Sequence, residues 1–363
     1  MSSRALLAAA LLLVAPAAAA TLQRVEVNAS CLDGSRYSFY ISVGAESSKF
    51  FIYHQGGSWC FSMQECAQRA NSSLGSSVGW PLQQSMGDGM DRNPANNPLM
   101  HNWTFVYMPY ADGGSFTGDA EGAFQGAPLY FHGLKIRQQT VAALTASFGF
   151  DAATDLVVGG GSAGGIAAYL HADFYAAQCA ASSCKAIVMP DSGFFEDGNN
   201  DRDGKGDYDT NIQNLYGFMN SAAGIFSSAC TNALGYKCMF AEHLIPYIKV
   251  PIFALNSAYD ATMGNGQCGA DSGITMDWSN ATAVNLCGNF VRGQLKALLA
   301  PPKNAVFLDA CHHHCGEWNQ ITIDGLTCSM VLQLFYTGGS AALPNSGYMD
   351  QGNVYPCDAC CSP

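Results

Sequence analysis

Ser162 lies in the run Thr154 to Tyr169, T-D-L-V-V-G-G-G-S-A-G-G-I-A-A-Y, where an apolar stretch ends in glycines and small residues follow the serine. Gly160-Gly161-Ser162-Ala163-Gly164 fits the Gly-x-Ser-x-Gly pattern of a nucleophile elbow, a sharp strand-to-helix turn that exposes a hydroxyl. Glycines are required there because the serine backbone is strained and its neighbours must pass without Cβ atoms. A plain strand-to-helix turn or a phosphate loop has the same local look, so the serine needs partners before it counts as a nucleophile.

The partners are a base that takes the serine proton and an acid that orients the base, in the chain order serine, acid, histidine. Asp260 follows the apolar run Val250 to Asn256, and Asp309 to Cys315 reads D-A-C-H-H-H-C after the run Ala305 to Leu308. Three of the eight histidines, His312, His313 and His314, therefore cluster in one loop in the expected order. Adjacent side chains diverge, which makes this triplet a poor metal site. Cys311 and Cys315 bracket it, so both are expected to pin the loop through disulfides. Two further acids compete with Asp260. Asp191 follows the run Ala186 to Met189 and reads as a turn cap in Asp191-Ser192-Gly193, and Asp309 precedes the histidines. His54, at a strand end, and His171, within a helix, read as structural.

An oxyanion hole needs the N–H after the nucleophile, here Ala163, and further amides from a glycine-rich loop after an earlier strand. Gln55-Gly56-Gly57-Ser58-Trp59-Cys60, directly after Phe50 to Tyr53, is the candidate, with Cys60 as an anchor.

These residues must be held by a scaffold. Strand-like runs occur at Tyr37 to Val43, Lys49 to Tyr53, Trp103 to Met108, Asp155 to Val158, Lys185 to Met189, Val250 to Asn256 and Ala305 to Leu308. Helical patterns fall at Ile136 to Ser147, Ile166 to Ala180 and Asn285 to Leu299. Apolar runs without strict alternation, interleaved with helices, predict a mainly parallel sheet buried on both faces. In such sheets the site forms at the C-terminal ends of the strands, where the candidate loops lie.

Residues Met1 to Ala20 carry one arginine, a short apolar stretch and a small-residue end, the form of a secretory signal peptide cleaved near Ala20 and Thr21. Residues 21–363 read as a single domain, since no linker or charge block divides them, and no later run is long enough for a transmembrane segment. Fifteen cysteines suit an oxidising compartment, with Cys179 and Cys184, and Cys230 and Cys238, spaced to close small loops. The odd count leaves at least one thiol unpaired. The tail cysteines Cys357, Cys360 and Cys361 have no partner cluster at zinc spacing and read as disulfides. Sequons begin at Asn28, Asn71, Asn102 and Asn280, with Asn102 directly before a strand-like run. A net charge of -12 makes nucleic acid and anionic membranes poor partners.

Taken together, the residues resemble the pectin acetylesterase/Notum family of serine esterases. The resemblance rests on Gly56 to Cys60, Gly160 to Gly165, Asp191 to Phe195, Asn256 to Asp260 and Cys311 to Cys315, which span most of the chain. It implies an α/β-hydrolase-like fold with a mainly parallel central sheet flanked by helices and disulfide-tied loops, secretion, and hydrolysis of O-acyl esters without a cofactor. Position by position it implies Ser162 as nucleophile, Asp260 as acid and His314, three residues after Cys311, as base. The implied oxyanion donors are the N–H groups of Gly57, Ser58 and Ala163. This chain has Gln55 where the family commonly has an acid, and His312 and His313 are its own.

The acidic run Asp197 to Asp209 places Asn199, Asp201, Asp203 and Asp207 like the oxygens of a calcium loop, but the closing bidentate glutamate is replaced by Thr210. A solvated loop is the preferred reading; if calcium binds, its role is structural. The expected enzyme is a monomeric, secreted serine carboxylesterase acting on acetyl esters of an extracellular or cell-wall polysaccharide such as pectin, or on small acylated esters. A Notum-like palmitoleoyl-protein deacylase is the alternative within the family. A non-catalytic secreted carbohydrate-binding relative is the rival from another class, one that a degraded triad would favour.

Overall fold

The computed structural model describes residues 19–179, 184–198, 200, 201, 207–262, 265, 266, 268, 276–299, 302–357, 360 and 361. Most of the expected signal peptide, together with Asn199 and Asp203 of the calcium-like run, lies outside the described residues.

The frame is a ten-stranded sheet. In chain order its strands are β1 (Ala19–Ser30), β2 (Arg36–Ser42), β3 (Glu46–His54), β4 (Gln83–Asp91), β5 (Trp103–Met108), β6 (Asp155–Gly161), β7 (Lys185–Asp191), β8 (Phe253–Ser257), β9 (Ala305–Asp309) and β10 (Tyr348–Asp350). The spatial order is β10-β9-β8-β7-β6-β3-β5-β2-β1-β4. Strands β10 through β5 run parallel, and β2, β1 and β4 add an antiparallel edge.

Burial follows from that arrangement. Every residue of β5, β8 and β9 is buried, as required of strands covered on both faces. Side chains alternate between the faces: Phe50 and Ile52 pack into one apolar cluster, and Phe51 between them into the other. The first cluster is closed by α2 (Gly133–Phe148), α3 (Ala163–Gln178) and α5 (Ala281–Leu299), the second by α6 (Cys328–Gly338). Two smaller helices, α1 (Met63–Arg69) and α4 (Tyr208–Phe218), flank the site.

All seven expected strand runs form strands and all three helical patterns form helices. Strands β1, β4 and β10 and the helices α1, α4 and α6 were not foreseen. In β1 buried and exposed residues alternate for much of its length, the mark of a strand with one face open rather than of the unbroken apolar runs that flag strands covered on both faces. A separate hairpin, Ala120–Phe124 with Ala127–Phe131, turns through Gln125 and Gly126, both at positive φ, as a two-residue turn demands.

Six disulfides form: Cys60–Cys66, Cys179–Cys184, Cys230–Cys238, Cys268–Cys287, Cys311–Cys361 and Cys357–Cys360. The two short loops expected from spacing are among them. Cys31, Cys315 and Cys328 are free thiols, which corrects the expectation that Cys315 pins the histidine loop by a disulfide. The four sequon asparagines, Asn28, Asn71, Asn102 and Asn280, are all exposed. Among the described residues no helix is long and apolar enough to cross a membrane.

Candidate active site

Five adjacent parallel strands bring the candidate residues to one edge of the sheet. His54 of β3 pairs with Gly160 of β6, Gly161 with Asp191 of β7, Asp191 with Leu255 of β8, and Ser257 of β8 with Asp309 of β9. Their C-terminal ends are therefore level, and the next residues of each strand form one rim.

At the end of β6, Ser162 has φ 57° and ψ −124°, a conformation few non-glycine residues adopt, and α3 begins at the next residue. Such a turn works only where the flanking backbone carries no Cβ. A Cβ on Gly160 would meet the carbonyl oxygen of Gly164 at 2.1 Å, and one on Gly164 the carbonyl oxygen of His54 at 2.1 Å. Both clashes are with main chain, which no rotamer change relieves. The Ser162 amide donates to the Asp191 carbonyl at 2.9 Å, which fixes the elbow to β7. The half-buried Ser162 side chain does not cap the helix. Ala163 is the first helical residue, so its N–H has no acceptor within the helix.

The loop after β3 runs against this elbow. A Cβ on Gly56 would lie 2.2 Å from the carbonyl oxygen of Gly161 and 2.9 Å from the Cβ of Ser162. Gly57 has φ 142° and Ser58 φ 56°. Gln55 accepts the Tyr110 amide through Oε1 at 2.9 Å, a bond that the family's carboxylate could also accept. The Trp59 indole N–H donates to Ser115 Oγ at 2.7 Å, and that hydroxyl donates to the Ala163 carbonyl at 2.8 Å, so the loop is latched to the first turn of α3.

The histidine loop resolves what the triplet left open. Asp260 is buried, and its carboxylate oxygens lie 2.8 and 3.0 Å from His314 Nδ1. Nδ1 faces a carboxylate and must carry the proton, so the neutral ring presents its lone pair at Nε2. That Nε2 is buried and has no hydrogen-bond partner. Thr262 steadies the pair: its amide and hydroxyl donate to Asp260 Oδ1 at 2.8 and 2.7 Å, and the hydroxyl lies 3.5 Å from His314 Nδ1. Asp260-Ala261-Thr262 carries the Asp-x-Thr signal of a side-chain turn, the local mark in the sequence from which Thr262 could be found.

The other candidates have other partners. His313 pairs through Nε2 with both oxygens of the buried Asp309 at 3.1 Å. Burial pulls its pKa down, but the hydrogen bond and charge of Asp309, with the charge of Asp191, outweigh that and lift it to about 9. His312 packs against Trp278 with ring centroids 4.4 Å apart and planes tilted by 46°. Asp191 does more than cap its own turn. Its Oδ2 accepts from the Gly316 amide and the Trp318 indole, each at 2.9 Å, and burial pushes its pKa up to about 6. With Cys315 N donating to Ser192 Oγ at 2.9 Å, these bonds replace the disulfide expected at Cys315. His54 and His171 are buried and structural; their rings bond the carbonyls of Gly159 and Ser115, and burial lowers both pKa values.

Ser162, Ser58, Trp59, Phe61, Phe195, Tyr208, Ala261 and Thr262 line a cavity of about 330 Å³. The nucleophile candidate thus shares one space with Ser58 and Trp59 of the glycine loop and with Thr262, whose hydroxyl bonds Asp260 of the Asp260–His314 pair. Four aromatic rings wall it, with Phe195 set edge-on to Trp59 at 4.9 Å.

In the acidic loop, Asp207 caps α4 through the Asp209 amide, and Asp197 and Asp209 each hold Lys237 Nζ at 2.7 Å. These carboxylates have protein partners of their own. Asp201 lies in a two-residue strand, Asn200–Asp201, beside Asn265–Gly266.

Comparison with known proteins gives a consistent result. A family model described as pectinacetylesterase matches residues 16–362. The chain is similar to pectin acetylesterase 11 of Arabidopsis thaliana, 28% identical over 320 residues that cover 83% of this chain and 80% of that protein. It is also similar to the palmitoleoyl-protein carboxylesterase NOTUM of Homo sapiens, 29% identical over 178 residues, 48% of this chain and 36% of that one. Among solved structures it resembles the Wnt deacylase Notum from Drosophila, with a TM-score of 0.75 and 22% identity over 92% of this chain and 99% of that chain. This last likeness establishes a Notum-like α/β-hydrolase fold.

Proposed function

The chain belongs to the pectinacetylesterase family, and from that premise we propose that it is a secreted serine carboxylesterase that removes short O-acyl groups, acetyl above all, from an extracellular polysaccharide. The observation that carries the reading is the Asp260–His314 pair, steadied by Thr262, which lines the same cavity as the strained Ser162.

His314 Nε2 takes the Ser162 proton as Oγ attacks the ester carbonyl, and Asp260 stabilises the imidazolium that results. The N–H groups of Gly57, Ser58 and Ala163 receive the developing oxyanion. The imidazolium then protonates the leaving alcohol, water attacks the acyl-enzyme by the reverse path, and the free carboxylic acid departs. No step needs a cofactor. The bond from Ser162 to His314 Nε2 is absent from the described contacts, and catalytic hydrogen bonds are often long before substrate arrives.

The cavity bears on acyl length. At about 330 Å³ it lies at the lower end of small-molecule pockets, which run from about 300 to 1,000 Å³. An acetyl group leaves space there for part of a sugar ring against the aromatic walls. Secretion is supported by the six disulfides.

The test is covalent labelling with a fluorophosphonate, read by peptide mass, alongside p-nitrophenyl acetate turnover. Ser162 should carry the adduct, and Ser162→Ala should lose about 10⁴-fold or more in kcat. Folded wild type that neither labels nor turns over would leave the carbohydrate-binding reading in its place.

A further inference from the structure

An oxyanion hole made of loop amides works only if those amides are held facing the cleft before the substrate arrives. Across a trans peptide the C=O and the next N–H point in opposite directions. Whatever holds the carbonyls of the glycine loop on its far side therefore aims its amides at the near side. Gly57, at φ 142°, uses the freedom of a glycine, and Ser58, at φ 56°, is in a left-handed conformation that a non-glycine residue keeps only where its surroundings hold it.

Arg69 is placed to do this. It ends α1, and its Nη2 donates to the Gly57 carbonyl at 2.7 Å and reaches the Ser58 carbonyl at 3.5 Å. Its Nε donates to the Leu74 carbonyl at 3.1 Å, and the guanidinium lies 4.7 Å from the centre of the Tyr110 ring. The group is thus fixed on two sides, by Leu74 and by Tyr110, apart from its contacts with the loop. Helix α1 is itself fastened to the same loop by the Cys60–Cys66 disulfide and by the Phe61 amide donating to the Glu65 carboxylate at 2.6 Å.

We propose that Arg69 is the positioning residue of the oxyanion hole, holding the Gly57–Ser58 peptide with its carbonyl toward the guanidinium and its N–H toward the cavity shared with Ser162. The positive charge also polarises that peptide, which makes the Ser58 N–H a stronger donor. Arg69 is not among the residues lining the cavity, so it acts through the loop and not on the substrate. The inference rests on the serine-esterase reading of the site.

The experiment compares Arg69→Ala, Arg69→Met and Arg69→Lys with wild type, using p-nitrophenyl acetate kinetics, thermal melting and inhibition by a trifluoromethyl ketone, whose adduct with Ser162 carries an oxyanion. Arg69→Met keeps an unbranched apolar stem but cannot donate. Both it and the alanine variant should lose about 10- to 100-fold in kcat with little change in KM. Affinity for the ketone should fall by the same ratio, with the lysine variant intermediate. A folded alanine or methionine variant that keeps wild-type kcat and ketone affinity overturns the proposal, as does a loss confined to KM or to melting. Should neither fold, the lysine variant decides: an unchanged ratio of ketone affinity to substrate affinity overturns it. A wild type that a fluorophosphonate does not label at Ser162 instead removes the esterase reading itself, a result the arginine variants cannot produce.

Discussion

His314 meets Asp260 through Nδ1, and that choice of nitrogen decides what the ring can do. Asp260→Asn can still bond the ring, but it favours the tautomer with its proton on Nε2, which cannot accept from serine. The variant should melt near wild type and lose about 10⁴-fold in kcat. Asp191→Asn should do the reverse. It weakens the carboxylate that serves the buried Gly316 and Trp318 donors, so it should cost about 1–3 kcal/mol in urea unfolding while keeping more activity than Asp260→Asn. If Asp191→Asn is the more damaging to turnover, the acid assignment fails. His313 supplies a pH test. Its pKa is raised from 6.5 to about 9 on folding, so its stabilisation is complete below about 6.5 and is lost as pH rises through about 9. Wild type should therefore lose melting temperature between those values, and His313→Gln should melt lower at pH 6 with a flatter slope above it. An unchanged slope in the variant would show that the Asp309 pair carries no such term.

At the scale of elements, the strand–elbow–helix unit of β6 and α3 tolerates no added atom, because backbone closes in on both sides of it. Gly160→Ala would force a Cβ to within 2.1 Å of a main-chain oxygen and should cost about 1–3 kcal/mol or more. It should also lower kcat, since relief comes only by moving Ser162. Gly293, in the middle of α5, has nothing within 4 Å of its Cβ position. There an alanine should stabilise by about 0.5–1 kcal/mol, by helix propensity, with kcat untouched. Opposite signs at the two glycines, measured by urea denaturation, check that the elbow is constrained by packing and not by chain flexibility. The site strands were legible because central parallel strands read as continuous apolar runs. The outer strands were not, since β1 shows alternating burial and owes its place to pairing with β2 and β4.

For the molecule as a whole, the net charge of -12 bears on how a polymer approaches. A pectin-like polyanion is repelled at long range, and salt shortens that range, with a Debye length of about 10 Å at 0.1 M. Raising ionic strength should therefore lower KM for an acetylated polygalacturonate and leave KM for a neutral acetylated glycan unchanged. A KM for the polyanion that rises with salt would overturn this and point to a local basic surface at the site.

The sequence by itself determined the chemistry on offer and its order along the chain: Ser162 between glycines, Asp260 past one strand, histidines past the next. Local geometry demands particular residue types there, and types are what a sequence records. Tertiary structure decided which histidine meets Asp260, that Asp191 ties down Gly316 and Trp318, that Cys315 stays a thiol, and that Arg69 reaches the loop carbonyls. Each of these is a contact whose distance depends on how strands stack side by side, and spacing along one chain carries no measure of that.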